Sequence, residues 1–128
     1  MSRSPGPDHG SAVVEFVLVA ALVVAVGLVV LQIVLAAHVR STFTACAAEG
    51  ARTAAVARLG DDAGADRALG CAASSLGRDV EVDVAHVAVG GRDTVRVTLT
   101  GQAPALSFWA GGLIEADGRA LVEGDDAP

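Results

Sequence analysis

One carboxylate, Glu15, lies near the start of an apolar segment that is long enough to cross a membrane. From Phe16 to Ala37 the chain has no charged residue, and only Gly27 and Gln32 interrupt the apolar side chains. A run of about 20 apolar residues spans a bilayer as a helix. A charge placed within such a helix costs roughly 2.5–3.5 kcal/mol on the translocon insertion scale. The segment therefore predicts a membrane helix, and it makes Glu15 the first candidate for a functional residue.

The charge balance and the scattered histidines argue against several classes of function. The 128-residue chain has a net charge of −6, whereas nucleic-acid binding needs clustered cations, so we expect no nucleic acid as a partner. His9, His38 and His86 have no metal-ligand spacing to other ligand residues, and no nucleophile or phosphate-loop motif is present. The acidic pairs Asp61-Asp62 and Asp125-Asp126 are more typical of solvated surface than of a calcium site. We therefore predict no enzyme, metal, cofactor or small-molecule substrate.

The apolar helix is predicted to continue into water. We expect it to begin near Ser11 or Ala12 and to reach about Leu59, ended by Gly60. Beyond the span, one buried helical face is predicted because apolar and small residues recur at steps of three and four. These residues are Val39, Phe43, Cys46, Gly50, Ala54 and Ala57.

A second helix and three strands are predicted to follow. The helix covers about Ala63 to Leu76, capped by Asp61 or Asp62, with one side formed by Ala65, Leu69, Ala72 and Leu76. Alternation of apolar and polar residues then predicts strands at 80–84, 94–100 and 114–122. A turn at Gly90-Gly91-Arg92-Asp93 separates the first two strands, and a turn at Asp117-Gly118 competes with the third. A loop with Pro104 carries Leu106, Phe108 and Trp109. The predicted fold class is α+β, with a three-stranded antiparallel sheet.

The two cysteines allow one disulfide. Cys46 lies on the aqueous half of the long helix and Cys71 on the second helix, with Gly60 roughly midway between them. Two helices folded back at Gly60 could bring these cysteines together. The alternative is two small thiols buried between the helices without a bond. A disulfide would also require an oxidising compartment.

Three interpretations compete for the first 40 residues. A secretory signal peptide cut near Ala36-Ala37 is disfavoured because its apolar core is typically 7–15 residues long and would here contain Glu15. A plain membrane anchor explains the hydrophobicity and tolerates Glu15 near a helix N-terminus, whose dipole favours a carboxylate. A third interpretation assigns a role to Gly10 and Glu15 together.

Gly10-Ser11-Ala12-Val13-Val14-Glu15-Phe16 resembles the processing site of type IV pilin-like proteins. A second patch, Ala47-Ala48-Glu49-Gly50-Ala51-Arg52-Thr53-Ala54-Ala55, is similar to the segment that follows the membrane helix in TadE-like pseudopilins of the tight-adherence (Flp) pilus. An Arg often precedes that Glu in the family, whereas Ala48 occupies the position here. The resemblance covers about residues 10–55.

The resemblance implies cleavage by a prepilin peptidase between Gly10 and Ser11, with Glu15 and Phe16 serving assembly with other pilin-like subunits and pilus-assembly membrane proteins in the lipid bilayer. It divides the chain into a leader (1–10), a transmembrane helix (11–37), an extracytoplasmic pilin-like domain (38–123) and a flexible tail (124–128). The N-terminus would then be cytoplasmic. Two arginines, Arg40 and Arg52, follow the span, whereas Arg3 precedes it. Because positive residues tend to stay on the cytoplasmic side, this count slightly favours the opposite orientation. The functional alternative is an unprocessed, membrane-anchored binding or sensor module.

Overall fold

The computed structural model describes residues 8–56, 59–76, 79–102 and 112–123, without the side chains of Asp8, His9 and Leu76. Within these ranges the elements are α1 (Asp8–Ala55), α2 (Gly60–Leu76), β1 (Val80–Val89), β2 (Arg92–Gln102) and β3 (Leu113–Leu121). The predicted α+β class is confirmed. The chain divides into two units, Met1–Val34 and Leu35–Pro128.

The first unit consists, in its described part, of the apolar portion of α1. Its aliphatic side chains are exposed in the isolated chain, with Leu18 at 66% and Val23 at 64% of full accessibility. A helix satisfies all of its backbone hydrogen bonds internally, which the bilayer core requires. The segment is therefore long and apolar enough to cross a membrane.

In the second unit, the three strands form one antiparallel sheet in the order β1-β2-β3. One face of the sheet packs against α2 and against the end of α1. The core is built mostly from small residues on the helices and from β-branched or leucine residues on the central strand. Its members are Val39, Phe43, Cys46, Ala47, Ala51, Ala54, Ala55, Ala68, Ala72, Val95, Val97, Leu99 and Ala116.

The predicted buried face of the long helix is confirmed from Val39 to Ala54, whereas Ala57 lies outside the described residues. The helix boundaries differ from the prediction. α1 begins at Asp8, three residues before Ser11, and ends at Ala55 rather than near Leu59. The Ala55 carbonyl accepts a hydrogen bond from the backbone N–H of Glu123 at 3.3 Å, at the point where helical bonding stops.

The second helix also differs from its prediction. α2 begins at Gly60, so Asp61 and Asp62 lie in its first turn, where the helix dipole favours carboxylates. Its most deeply buried positions are Gly64, Ala68 and Ala72, while the predicted Ala65 and Leu69 are only half-buried. The buried face of α2 is therefore rotated from the predicted face, because the smallest residues allow the closest approach to α1.

The first two strands are longer than predicted, whereas β3 begins and ends one residue earlier than the predicted strand. Arg92 and Asp93 belong to β2 rather than to the turn, so the hairpin turns on Gly90 and Gly91 alone, whose φ angles are +60° and +79°. Positive φ at both central residues is the requirement of a type I′ turn. The competing turn at Asp117-Gly118 is wrong, because Gly118 pairs with Val97 inside the sheet. The apolar loop of Leu106, Phe108 and Trp109, the tail and most of the leader lie outside the described residues.

Candidate functional site: the N-terminal helix and the segment that follows it

The residues proposed for processing and assembly all lie on α1. Gly10 and Ser11 lie within its first turn, and Glu15 and Phe16 follow one turn later. A separation of four residues is about 6 Å of helix rise, so Ser11 and Glu15 share a face. All four residues are exposed in the isolated chain, and Phe16 retains 73% of its accessible surface. The structure therefore leaves these side chains available to other molecules.

Gly10 is not needed for packing within the chain. A Cβ atom added at Gly10 would have no atom within 4 Å, and the same is true of Gly27 in the middle of the span. Neither glycine has a positive φ angle. A requirement for glycine at position 10 must therefore come from another molecule, whereas the fold itself would accept a larger residue.

The second patch has a structural role in joining the helices. Ala47 and Ala51 are completely buried, and Gly50 lies where α1 and α2 cross. A Cβ at Gly50 would be 2.7 Å from the Cβ of Ala68 and 2.8 Å from the carbonyl oxygen of Gly64. Because real contacts of that kind are essentially never so short, only glycine fits at this crossing.

An ion pair and a disulfide reinforce the same crossing. Arg67 Nε donates a hydrogen bond to Glu49 Oε1 at 2.8 Å, and the Arg67 Nη2 also contacts that oxygen. A disulfide joins Cys46 to Cys71, with the Cα atoms 5.5 Å apart. This is the cysteine pairing that the sequence analysis considered for two helices folded back at Gly60. Arg52, which also belongs to the second patch, is exposed and forms no ion pair among the described residues.

A third group, centred on His86, was not anticipated from the sequence. His86 Nε2 lies 3.0 Å from Asp61 Oδ1 on α2, and its Nδ1 lies 3.5 Å from Asp93 Oδ2 on β2. The hydrogen bond and charge of Asp61, helped by Asp93, raise the pKa of His86 above its ordinary value of 6.5. Asp61 lies 25 residues from His86 in sequence, so only the packing of α2 on the hairpin brings these two residues together, whereas the pairing of β1 with β2 brings Asp93 close.

Within the described ranges, no group of three or more His, Cys, Asp or Glu residues is arranged to hold a metal ion. The clefts of the second unit are shallow. One is lined by the small and polar residues of α1 around Ser41 and Thr44, and another by Asp79, Glu81 and Thr100 at one end of the sheet.

Comparison with known proteins relates the first part of the chain to one family. No curated protein and no solved structure matches the chain significantly. The profile of the TadE-like protein family does match, over residues 10–52. That range includes Gly10, Glu15, the apolar span and most of the second patch. The match confirms the resemblance of this part of the chain to TadE-like proteins, and the helix within it is long and apolar enough to cross a membrane.

Proposed function

We propose that this chain is a minor pilin or pseudopilin, a structural subunit of a Tad (Flp) pilus or related secretion system, and not an enzyme. The observation that carries the proposal is the family match, which begins at Gly10 and continues through Glu15 and the entire apolar segment. A prepilin peptidase cleaves after Gly10, so that Ser11 becomes the first residue of the mature chain and Glu15 the fifth.

Cleavage gives Glu15 a partner. The new ammonium group at Ser11 is in the same apolar setting as the carboxylate, four residues away on the same helix. When helices of neighbouring subunits are staggered, the ammonium group of one can neutralise the Glu15 carboxylate of the next. Such a pair offsets the cost of a charge in the membrane, and it sets the axial register of the assembled subunits.

The proposed orientation places the N-terminus in the cytoplasm and the second unit outside it. The Cys46–Cys71 disulfide supports this orientation, because structural disulfides persist in oxidising compartments and are rare in the cytoplasm. The arginine count around the span favours the opposite orientation. The difference in the number of arginines between the two sides is small, whereas the family match and the disulfide both support export.

The test is N-terminal sequencing of the protein from its native host. The assembled form should read Ser-Ala-Val-Val-Glu. Gly10→Leu should leave the precursor uncut, and Gly27→Leu is the matched control because both glycines lie on α1 with open space around them. Recovery of intact Met1 or Ser2 from the assembled fraction would contradict the proposal and favour the unprocessed membrane-anchored module.

A further inference from the structure

The sheet has one face that no described element covers. Both helices pack against the face that carries Val95, Val97 and Leu99. The opposite side, which we call the outer face, consists of the alternate residues on the three strands. Its members are Glu81, Asp83, Ala85, Val87 and Val89 of β1, Arg92, Thr94, Arg96, Thr98, Thr100 and Gln102 of β2, and Leu113, Glu115, Asp117, Arg119 and Leu121 of β3, of which Thr94 alone is buried.

Charges on the outer face are separated along the strands. The register places Glu81, Thr100 and Glu115 in one row and Asp83, Thr98 and Asp117 in the next. Four carboxylates therefore occupy one half of the face. The following row contains Arg96 directly beside Arg119, and Arg92 lies near the hairpin turn. A surface with this pattern is complementary to a partner with the reverse order of charges.

The arginine row places two guanidinium-bearing residues, Arg96 and Arg119, on directly paired strand positions. Arg119 Nε donates to Asp117 Oδ2 at 3.1 Å on its own strand. Arg96 is half-buried, and its Nε is buried without a hydrogen-bond partner among the described residues. Two like charges on directly paired strand residues repel each other. A carboxylate of another protein placed beside the two guanidinium groups would offset this repulsion, in the geometry that arginine provides for carboxylates.

We propose that the outer face docks a different protein of the same membrane assembly, which presents a carboxylate to Arg96 and Arg119 and basic side chains to the four acids. A second copy of this chain is disfavoured as the occupant, because each copy has a net charge of −6 and the acids outnumber the arginines on the face itself. The inference rests on the proposed role as an assembly subunit.

The experiment uses the full chain in its native host, with the photo-crosslinking residue p-benzoylphenylalanine placed at position 98 in place of Thr98. Thr98 lies in the row of Asp83 and Asp117, directly next to the row of Arg96 and Arg119. The same residue in place of Ser74, which is exposed on α2, is the control position. We expect position 98 to cross-link to one other protein, identified by mass spectrometry, and position 74 to leave it unlabelled.

Charge reversal then tests the recognition. Arg96→Glu should reduce that cross-link roughly tenfold, as loss of a contact worth about 1.4 kcal/mol would. Arg119→Glu, at a more exposed position, should act in the same way. Arg52→Glu makes the same change of charge on α1 and should leave the cross-link intact. Retention of the Cys46–Cys71 disulfide on a non-reducing gel shows that each variant is folded.

Reciprocal substitution of the partner's contacting acid by Arg should restore cross-linking to Arg96→Glu. An absent cross-link, one made only to a second copy of this chain, or one unaffected by Arg96→Glu and Arg119→Glu would overturn the inference. The cleavage state at Gly10 is read separately in the same samples. A processed chain that does not cross-link contradicts the docking surface alone, whereas an uncut chain in the assembly contradicts the proposed function.

Discussion

At the residue scale, Glu15 makes membrane insertion of the apolar helix less favourable, and it is also the residue to which we assign a role in assembly. Glu15→Gln removes the charge and keeps the size of the side chain. We expect this variant to insert at least as well as the natural protein, because an ionised carboxylate no longer enters the apolar segment. It should nevertheless fail to co-purify with partner pilins, and Glu15→Asp should be partly defective because its shorter side chain displaces the charge.

Membrane fractionation followed by co-purification measures both effects. Gln32 lies within the same span, and Gln32→Leu is a control that removes a polar side chain without changing any charge. Normal co-purification of the Glu15→Gln variant would show that the carboxylate is only tolerated near the helix end.

His86 makes the stability of the second unit depend on pH. Asp61 and Asp93 raise its pKa in the folded state, so the protonated imidazole stabilises the fold. That contribution is fully present below the unfolded pKa of about 6.5 and is lost as the pH rises through the higher folded value. We expect the free energy of unfolding to fall over this window, measured by denaturant titration in detergent at several pH values.

The His86→Gln variant should lack this part of the pH dependence. His38→Gln is the matched control, because it makes the same substitution on α1, outside the cluster of His86, Asp61 and Asp93. A pH profile that is identical in the natural protein and in His86→Gln would show that the two aspartates do not hold the imidazole in solution.

At the element scale, two glycines set the distance between α1 and α2. Gly64→Ala places a Cβ 2.7 Å from the carbonyl oxygen of Gly50 and against the Cβ of Ala54. Overpacking of this kind costs about 1–3 kcal/mol, so the unfolding midpoint should fall. Gly70→Ala is the matched control on the same helix, because it meets nothing within 4 Å and should be neutral or slightly stabilising.

Denaturant unfolding in detergent distinguishes the two variants. Equal stabilities for Gly64→Ala and Gly70→Ala would mean that the helices do not cross as closely as the structure has them. The comparison also tests the structural role of the second patch, because Gly50 and Gly64 contact each other across the same crossing.

At the scale of the whole molecule, the disulfide reports both stability and orientation. The bond closes a separation of 25 residues, for which the loss of chain entropy in the unfolded state contributes about 3 kcal/mol. We expect the double variant Cys46→Ser, Cys71→Ser to unfold at lower denaturant concentration by about that amount. Thiol labelling of denatured, unreduced protein from the native host should find no reactive thiol.

Labelling of the same sample after reduction is the positive control and should find both cysteines. Two reactive thiols before reduction would place the second unit in a reducing compartment. That result would remove the main physical support for export, and it would agree with the arginine count around the span.

The membrane helix, the α+β class and the strand alternation followed from the sequence because each rests on a local pattern: a long apolar run, a period of 3.6 or a period of two. Glu15 and Gly10 could be singled out in the same way, since a charge beside an apolar segment is visible in one dimension. The family match and the confirmed burial of Val39, Phe43 and Cys46 agree with that reasoning.

Only the tertiary structure decided the features that depend on pairs distant in sequence. The exact faces of α2, the crossing at Gly50 and Gly64 and the cluster around His86 require α2 to be placed on α1 and on the hairpin. The extent of the strands and the outer-face rows require the register of three strands, in which Gly118 pairs with Val97 under α1. Local patterns predict which residues are buried, whereas the partners of those residues are set by packing between elements, where a one-residue shift changes every contact.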